Sequence, residues 1–275
     1  MQILALDFDG VIVDSVWDSL FVSHNAYLRL YGPEKKKNFG GKLFTFESWE
    51  EIKKKYKEEI SYYYSLRPYI RGAADYGLIQ KLMEEKRVIK SQEEFDRYRE
   101  SAEFDFAAYE EEFYKERARL QNIDYRAWYN LEPPYPQVIE GIKKLLEEGV
   151  KIVIATSNRR EAIAKSFTPE YFGFTIDPED IWDKRYGEEK SEQMRQIVKL
   201  YGVRFEDLYF VDDQVSHLIK AKRLGVKVFL AGWSYATKAQ KEEAHRQDIP
   251  VMEREEEFYP VIKEALKKGL TENNF

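Results

Sequence analysis

The first apolar segment of the chain is short and uninterrupted. Residues 3–6, with the sequence ILAL, are followed by Asp7 and Asp9. Four apolar residues without alternation are typical of a strand that is buried on both faces. From about residue 14 the apolar positions recur every three or four residues as far as the Gly-Pro pair at 32–33, as in a helix and its end. We therefore predict a buried strand that ends at Asp7 and a helix that follows it closely.

The stretch from residue 45 to residue 122 has helical periodicity and little that resembles a strand. Residues 48–51 and 91–94 each begin with Ser and end with Glu, which is the spacing of a capping box at a helix start. Apolar and aromatic residues then repeat on one face of each predicted helix. Successive prolines in NLEPPYP, residues 130–136, end the pattern because they stop a helix and favour extended chain. We predict an all-helical block that ends at this segment.

After residue 136 the chain alternates between helical and strand patterns. Apolar segments with the character of strands lie at residues 150–155, 208–212, 226–231 and 249–252. Helical periodicity precedes each of them and returns after the last. This alternation predicts a parallel sheet with helices on both faces.

The N-terminal strand must join that sheet, because an isolated apolar strand cannot bury both of its faces. We therefore predict an α/β fold: a Rossmann-like core domain with a parallel sheet, residues 1–14 and 134–275, and an inserted all-α cap domain, residues 15–133. The insertion leaves from the end of the first strand. This places it at the edge of the sheet where open parallel sheets bind ligands.

Composition narrows the function classes. The 275 residues include 44 Lys and Arg, 50 Asp and Glu and no Cys, with a net charge of −6. The acidic balance argues against nucleic acid or an anionic membrane as the main partner. The lack of Cys excludes disulfides, thiolate zinc sites and thiol catalysis. Without a leader-like or membrane-spanning pattern, we expect a cytoplasmic protein, monomeric or homodimeric.

Polar residues follow three of the predicted strands. They are Asp7 and Asp9 after the first, Thr156, Ser157 and Asn158 after the second, and Asp212 and Asp213 after the strand at 208. The ends of parallel strands face one edge, so these side chains can converge. Four clustered carboxylates repel one another and need a cation. Ligands that are all oxygen favour a hard divalent ion, and the lack of a spaced ligand loop favours Mg²⁺ over Ca²⁺.

These segments resemble the motifs of the haloacid dehalogenase-like hydrolase superfamily, in particular the phosphoglycolate phosphatase and β-phosphoglucomutase type with a helical cap. The matching segments are DFDGVIVDS from residue 7, IVIATSN from residue 152, Lys190 in EEKSEQM, and FVDDQ from residue 210. The resemblance covers the core and not the cap. It implies a Mg²⁺-dependent phosphatase that hydrolyses a small phosphorylated metabolite through an aspartyl-phosphate intermediate.

The resemblance also implies roles for the first motif. Asp7 would attack phosphorus, and Asp9 would protonate the leaving oxygen and later activate water. Both would contribute to metal binding, Asp9 through its main-chain carbonyl. Gly10 would allow the tight turn that follows and line the phosphate site.

The other motifs would bind phosphate and metal. By the same resemblance, Thr156 would hold a phosphate oxygen, helped by the amides of the turn at 157–158, and Lys190 would bridge phosphate and Asp7. Asp213 would bind Mg²⁺ directly, with Asp212 in support. The family often has an acid where this chain has His217, which we interpret as a packing or surface residue.

Several cations remain as alternatives. Lys184 and Arg185 compete with Lys190, which we prefer because it begins an amphipathic helix, and a helix N-terminus suits an anion. Arg159 and Arg160 either contact substrate or are solvated at a helix start, and we favour the second interpretation. The same choice applies to the cap residues Arg67 and Arg71 in RPYIRG, where we also favour ordinary charges of a helical surface.

Two other functions are compatible with these residues. A phosphomutase would keep the phosphoryl group on Asp7 and return it to a sugar. A phosphoacceptor or binding module would use strand-end aspartates with Mg²⁺ but would not turn over. A metal-free dehalogenase is disfavoured by the acids at residues 9 and 212–213.

Overall fold

The structure is a computed structural model that describes residues 1–35, 38–187 and 189–272. The chain divides into two compact units. The first, here called the core unit, contains Met1–Asp14 and Pro133–Phe275, and the second, here called the helical unit, contains Ser15–Glu132.

The core unit contains a six-stranded sheet. Its strands are β1 (Ile3–Leu6), β2 (Lys151–Ala155), β3 (Ile181–Trp182), β4 (Leu208–Asp212), β5 (Lys227–Ala231) and β6 (Val251–Met252). They are all parallel and lie in the order β3-β2-β1-β4-β5-β6. The predicted α/β fold with a parallel sheet is confirmed. β1 is fully buried and lies between β2 and β4, as expected for a strand that is apolar throughout.

The edge strand β3 was not predicted. It has two residues, which pair with Ile154 and Ala155 of β2. Two residues are too few to establish a periodic pattern, and their strand conformation follows from pairing with a neighbour that is distant in sequence.

The helical unit contains seven α-helices in the described part of the chain. They are α1 (Val16–Tyr31), α2 (Trp49–Lys55), α3 (Lys57–Leu66), α4 (Asp75–Glu85), α5 (Gln92–Ser101), α6 (Phe106–Ile123) and α7 (Tyr125–Tyr129). Two predicted long helices are interrupted, the first at Tyr56, where φ is −113° and ψ is 45°, and the second between α5 and α6. Periodicity of side chains continues through such breaks, so it does not reveal them.

Neither of the two predicted capping boxes is fully formed. The Ser48 hydroxyl donates to the Thr45 carbonyl and does not cap α2. Ser91 caps α5 by accepting from the Glu94 N–H at 3.2 Å, while the Glu94 carboxylate accepts from the Lys90 N–H instead of completing the box. The positions of both helix starts are therefore correct, but neither box is complete.

In the described part of the core unit, six α-helices pack against the sheet, on both of its faces. They are α8 (Pro136–Glu147), α9 (Arg160–Ile163), α10 (Lys190–Tyr201), α11 (Val215–Lys222), α12 (Lys238–Arg246) and α13 (Phe258–Glu272). On one face, residues of α10, α11 and α12 form one apolar cluster with Ile3, Ala5 and Phe210. On the other face, the Tyr209 hydroxyl donates to the Ala265 carbonyl of α13 at 3.3 Å. Of the helices described in either unit, none is long and apolar enough to cross a membrane.

A buried carboxylate connects α1 and α6 in the helical unit. Glu116 of α6 is 1% exposed. It accepts hydrogen bonds from Asn25 Nδ2 and Arg29 Nε of α1, each at 2.8 Å, and from Arg119 Nε at 2.7 Å. A buried charge needs such partners, because without them its desolvation would oppose folding.

We expect the Glu116→Gln variant to be destabilised by about 1.5–3 kcal/mol, the range for hydrogen bonds to a charged group. The neutral amide loses both ion pairs and replaces one of the two acceptor oxygens with a donor, which then faces the donors of Asn25 or Arg29. Urea unfolding followed by circular dichroism measures the change. Glu111→Gln is the matched control, because the Glu111 side chain is exposed and lies 3.8 Å from the exposed Lys115 ammonium group on the same helix. This variant should unfold like the wild type.

Candidate active site

The chain turns sharply after β1. The Asp7 N–H continues the ladder to the Val211 carbonyl at 2.9 Å. The chain then folds back, and the Gly10 N–H donates to the Val13 carbonyl at 2.8 Å. Asp7 is 6% exposed and Asp9 is half-buried. The turn therefore keeps both carboxylates at the carboxyl end of the central strand.

Both the backbone conformation at position 10 and the close neighbours of this position require a glycine. Its φ is +74°, in the left-handed region that favours glycine. A Cβ atom there would lie 2.7 Å from Asp213 Oδ2 and 2.7 Å from Ser234 Oγ. The missing side chain thus lets Asp213, which follows β4, and Ser234 lie close to the Gly10 backbone. Ser234, whose hydroxyl is buried, was not predicted to lie here.

Three carboxylates converge at the ends of β1 and β4. Among the described residues, Asp7, Asp212 and Asp213 each offer an oxygen within 4.8 Å of the others, and all three are buried. The predicted cluster of four includes Asp9, but the Asp9 carboxylate instead accepts a hydrogen bond from Asn158 Nδ2 at 2.6 Å. This edge of the sheet therefore has three clustered carboxylates, and a fourth, Asp9, that is hydrogen-bonded to an amide.

Lys190 lies at the start of α10 and contacts the acidic group directly. Its side chain is buried, and Nζ donates to Asp7 Oδ1 at 2.8 Å and to the Ala155 carbonyl. The competing cation Arg185 is directed elsewhere, to Asp183 and Glu161. Of these cations, the structure therefore brings Lys190 to Asp7.

The loop after β2 connects the acids with α10. Thr156 Oγ1 accepts from the Asn158 N–H at 3.0 Å, so this amide, predicted to help bind phosphate, is already used within the loop. Gln193, which was not predicted, donates from Nε2 to the Thr156 carbonyl at 3.0 Å. Its position three residues after Lys190, on the same face of α10, is the signal that could have identified it.

The surroundings shift the pKa values of Asp7 and Asp212 in opposite directions. Burial raises the pKa of Asp7 to about 6, with Asp212 and Asp9 adding to the rise and Lys190 opposing it. Burial also acts to raise the pKa of Asp212, but its contact with His217, the nearby charge of Lys190 and the hydrogen bond from the Gln214 N–H hold that pKa below its usual value. The surroundings therefore stabilise the anionic form of Asp7 less strongly than that of Asp212.

His217, which we predicted to be a packing or surface residue, is largely buried and contacts Asp212. Its Nδ1 lies 3.1 Å from Asp212 Oδ2, and its side chain is 15% exposed. The residue is in the first turn of α11, directly after the loop that carries Asp212 and Asp213. Its place in the sequence, five residues after Asp212 at the start of a predicted helix, is the signal that indicates a contact with Asp212.

Arg160 stabilises the edge of the sheet. Its guanidinium donates to the Ile181 carbonyl, to Glu179 and to the Tyr186 hydroxyl, at 2.8–3.1 Å. Its side chain is 14% exposed. The interpretation of Arg160 as solvated is therefore wrong, and its contacts explain how the two-residue strand β3 is held.

The two arginines of RPYIRG differ from each other within the helical unit. Arg67 is 4% exposed, with its guanidinium 5.7 Å from the centre of the Tyr76 ring, so the interpretation as a surface charge is wrong for this residue. Arg71 donates to Asp96 at 2.7 Å and is partly exposed, as the same interpretation predicts.

Comparison with known proteins identifies a family. A family model described as haloacid dehalogenase-like hydrolase matches residues 1–225. The pyrophosphatase PpaX of Halalkalibacterium halodurans is 26% identical over 108 residues, 38% of this chain and 49% of that protein. The matched region thus spans about half the length of this curated relative.

Solved structures share the fold over nearly the whole chain. A protein of Lactobacillus delbrueckii subsp. bulgaricus, predicted to be a phosphoglycolate phosphatase, has a TM-score of 0.61 at 14% identity, covering 95% of this chain and 99% of that one. A haloacid dehalogenase-like hydrolase of Streptococcus pneumoniae has a TM-score of 0.56 at 12% identity, with 95% and 98% covered. A hydrolase of Deinococcus radiodurans with bound phosphate and sodium has a TM-score of 0.54 at 14% identity, with 96% of each chain covered.

The Asp183 carboxylate anchors the start of α9, which follows the loop after β2, and we expect its contribution to stability to depend on pH. It accepts from the Arg160 N–H at 3.0 Å and from Arg185 Nε. Burial acts to raise the pKa of Asp183, but these hydrogen bonds hold it below its usual value. A lowered folded pKa stabilises the protein above the unfolded pKa of about 4, and this contribution is lost as the pH falls through the folded value.

We therefore expect Asp183→Asn to lower the free energy of unfolding at pH 7 by about 1–3 kcal/mol. The difference from the wild type should shrink as the pH approaches and passes below 4. Urea titrations at several pH values measure both quantities. Asp177→Asn, at an exposed aspartate that caps the turn before β3, is the matched control, and a pH-independent defect in D183N would contradict the expectation.

Proposed function

The chain belongs to the haloacid dehalogenase-like hydrolase family, and from this premise we propose that it is a Mg²⁺-dependent phosphatase acting on a small phosphate ester. The observation that carries the proposal is the buried contact between Lys190 and Asp7, 2.8 Å long, beside two further carboxylates at the ends of adjacent strands. A purely structural ion pair would not need the additional acids, which repel one another.

The residues present fit a divalent cation. The donor set consists of carboxylate oxygens, the ligands preferred by Mg²⁺. Because Gly10 has no Cβ, its backbone lies close to Asp213 Oδ2. In our proposal Asp7, Asp213 and the Asp9 carbonyl would hold Mg²⁺, with Asp212 in support. When bound, the ion would neutralise negative charge on the phosphoryl group, which otherwise repels an anionic nucleophile.

The proposed reaction has two steps, in which Asp7 and Asp9 have different roles. In the first, an Asp7 oxygen forms a bond to phosphorus as the ester P–O bond breaks, and Asp9 gives a proton to the departing oxygen. In the second, Asp9 takes a proton from water, whose oxygen attacks phosphorus and releases phosphate from Asp7. The hydrogen bond from Asn158 supports this division, because it holds Asp9 apart from the three clustered acids.

Lys190 and Thr156 would bind the phosphoryl oxygens. Lys190 lies against Asp7 and would counter the charge that develops during transfer. Thr156 Oγ1 accepts from the Asn158 N–H, so its own hydroxyl hydrogen would be directed to a phosphoryl oxygen. The names of similar proteins, a pyrophosphatase and a predicted phosphoglycolate phosphatase, support a small anionic phosphate compound as the substrate.

We expect the wild-type protein with Mg²⁺ to release phosphate from p-nitrophenyl phosphate and from members of a metabolite panel that includes phosphoglycolate. EDTA should abolish the release and excess Mg²⁺ should restore it. Asp7→Asn should have no activity but a wild-type circular dichroism spectrum, because the amide cannot attack phosphorus. Asp177→Asn, at an exposed position, should be fully active.

Other outcomes would contradict the proposed phosphatase. A wild-type protein that releases no phosphate from any ester would overturn it. A single phosphorylation of Asp7 without turnover would indicate a phosphoacceptor, and transfer of the phosphoryl group to a second sugar hydroxyl would indicate a phosphomutase.

Lys190→Met should lower kcat about 100- to 1000-fold, the usual effect of removing one electrostatic stabiliser of a transition state. Methionine keeps the length of the side chain but leaves the buried Asp7 without its cation, so circular dichroism checks that the variant is folded. Steady-state kinetics at saturating Mg²⁺ measure the effect. Lys199→Met, at an exposed position on the same helix, is the control, and equal activities for the two variants would remove Lys190 from the mechanism.

A further inference from the structure

A histidine contacts one of the three clustered acids. His217 Nδ1 lies 3.2 Å from Asp212 Oδ1 and 3.1 Å from Asp212 Oδ2, so the ring faces both oxygens of the carboxylate. Asp212 is 0% exposed, and the His217 side chain is 15% exposed. The contact is therefore largely shielded from water, where a hydrogen bond to a carboxylate is strongest.

A second donor holds the same carboxylate. The Gln214 N–H donates to Asp212 Oδ1 at 2.7 Å. Both donors belong to the segment in which β4 ends and α11 begins. Because one donor is main chain and the other is a side chain of the first helical turn, the orientation of the Asp212 carboxylate is set by the local fold.

The pair of His217 and Asp212 lies at the cluster of three acids. Asp212 lies within 4.8 Å of Asp7 and Asp213, measured between carboxylate oxygens. Like charges at this separation repel one another. Lys190 contacts Asp7, and His217 contacts Asp212. Two basic side chains from two different helices thus hold two members of the acidic group in place.

We propose that His217 is a positioning residue for the metal site, which holds the Asp212 carboxylate beside Asp7 and Asp213 so that the site is arranged before a divalent cation binds. This inference rests on the proposed function, since it concerns the cation of that reaction. His217 acts through Asp212 and does not touch the cation. Partners that orient metal-binding carboxylates typically contribute 10- to 100-fold to metal affinity.

The experiment compares three variants with the wild type in isothermal titration with MgCl₂, on full-length protein stripped of metal and without substrate. His217→Leu removes the donor, and we expect the dissociation constant for Mg²⁺ to rise about 10- to 100-fold. His217→Asn keeps a donor near the position of Nδ1, and it should recover most of the affinity. His245→Leu, at an exposed histidine of α12, should bind Mg²⁺ like the wild type.

Activity gives a second measurement that separates positioning from a role in the chemical step. With His217→Leu, the Mg²⁺ concentration for half-maximal phosphatase activity should rise by the same factor as the dissociation constant. The kcat at saturating Mg²⁺ should stay close to that of the wild type. A large fall in kcat at saturating Mg²⁺ would contradict the positioning role.

The outcomes distinguish failure of the inference from failure of the proposed function. If the wild type binds Mg²⁺ and H217L binds it equally well, only the inference is overturned. If H217L and H217N lose affinity equally, the hydrogen bond is not what matters, and the inference is again overturned. If the wild type does not bind Mg²⁺, both are overturned. Should H217L fail to fold, His217→Ala replaces it with the same expectation.

Discussion

The mutual repulsion of three carboxylates that are held together out of water is the constraint on which the core unit depends. Asp7, Asp212 and Asp213 are each at most 6% exposed, and their oxygens converge within 4.8 Å. Burial and like charge both oppose such an arrangement. It persists because donors meet the carboxylates: Lys190 and the Phe8 N–H contact Asp7. The acidic group is therefore stabilised by contacts that the surrounding elements supply.

The order of the strands explains how those donors arrive. β1 lies between β2 and β4, so the loop after β2 reaches Asp9 through Asn158 from one side, while Asp212 and Asp213 lie on the other side. α10 connects the end of β1 to the loop after β2, since Lys190 contacts Asp7 and Gln193 donates to the Thr156 carbonyl. Segments that are more than 140 residues apart in sequence thus form one hydrogen-bonded set. The sheet brings together groups that no local pattern could place side by side.

The sequence predicts those features that repeat along the chain or end an element. The uninterrupted apolar run before Asp7 locates β1, and the alternation after residue 136 predicts the parallel sheet, because burial on both faces leaves a plain pattern. β3 could not be predicted from two residues, and the break at Tyr56 leaves the helical periodicity unchanged. The contact between His217 and Asp212 depends on where α11 begins and on how its first turn lies above β4, which spacing alone does not determine.

The position of Asp9 shows why residue spacing gives a candidate site but not its internal organisation. Asp7 and Asp9 are two residues apart, and in an extended segment their side chains would lie on the same side. The sequence therefore predicts that both belong to one cluster. The turn at Gly10 and the hydrogen bond from Asn158 separate them, leaving Asp7 with Lys190 and Asp9 with a neutral amide. An ammonium group and an amide are different neighbours for a carboxylate, because only the first brings a compensating charge. In the proposed mechanism, the difference between Asp7 as nucleophile and Asp9 as acid and base would therefore arise from the neighbours that the fold supplies to two identical side chains.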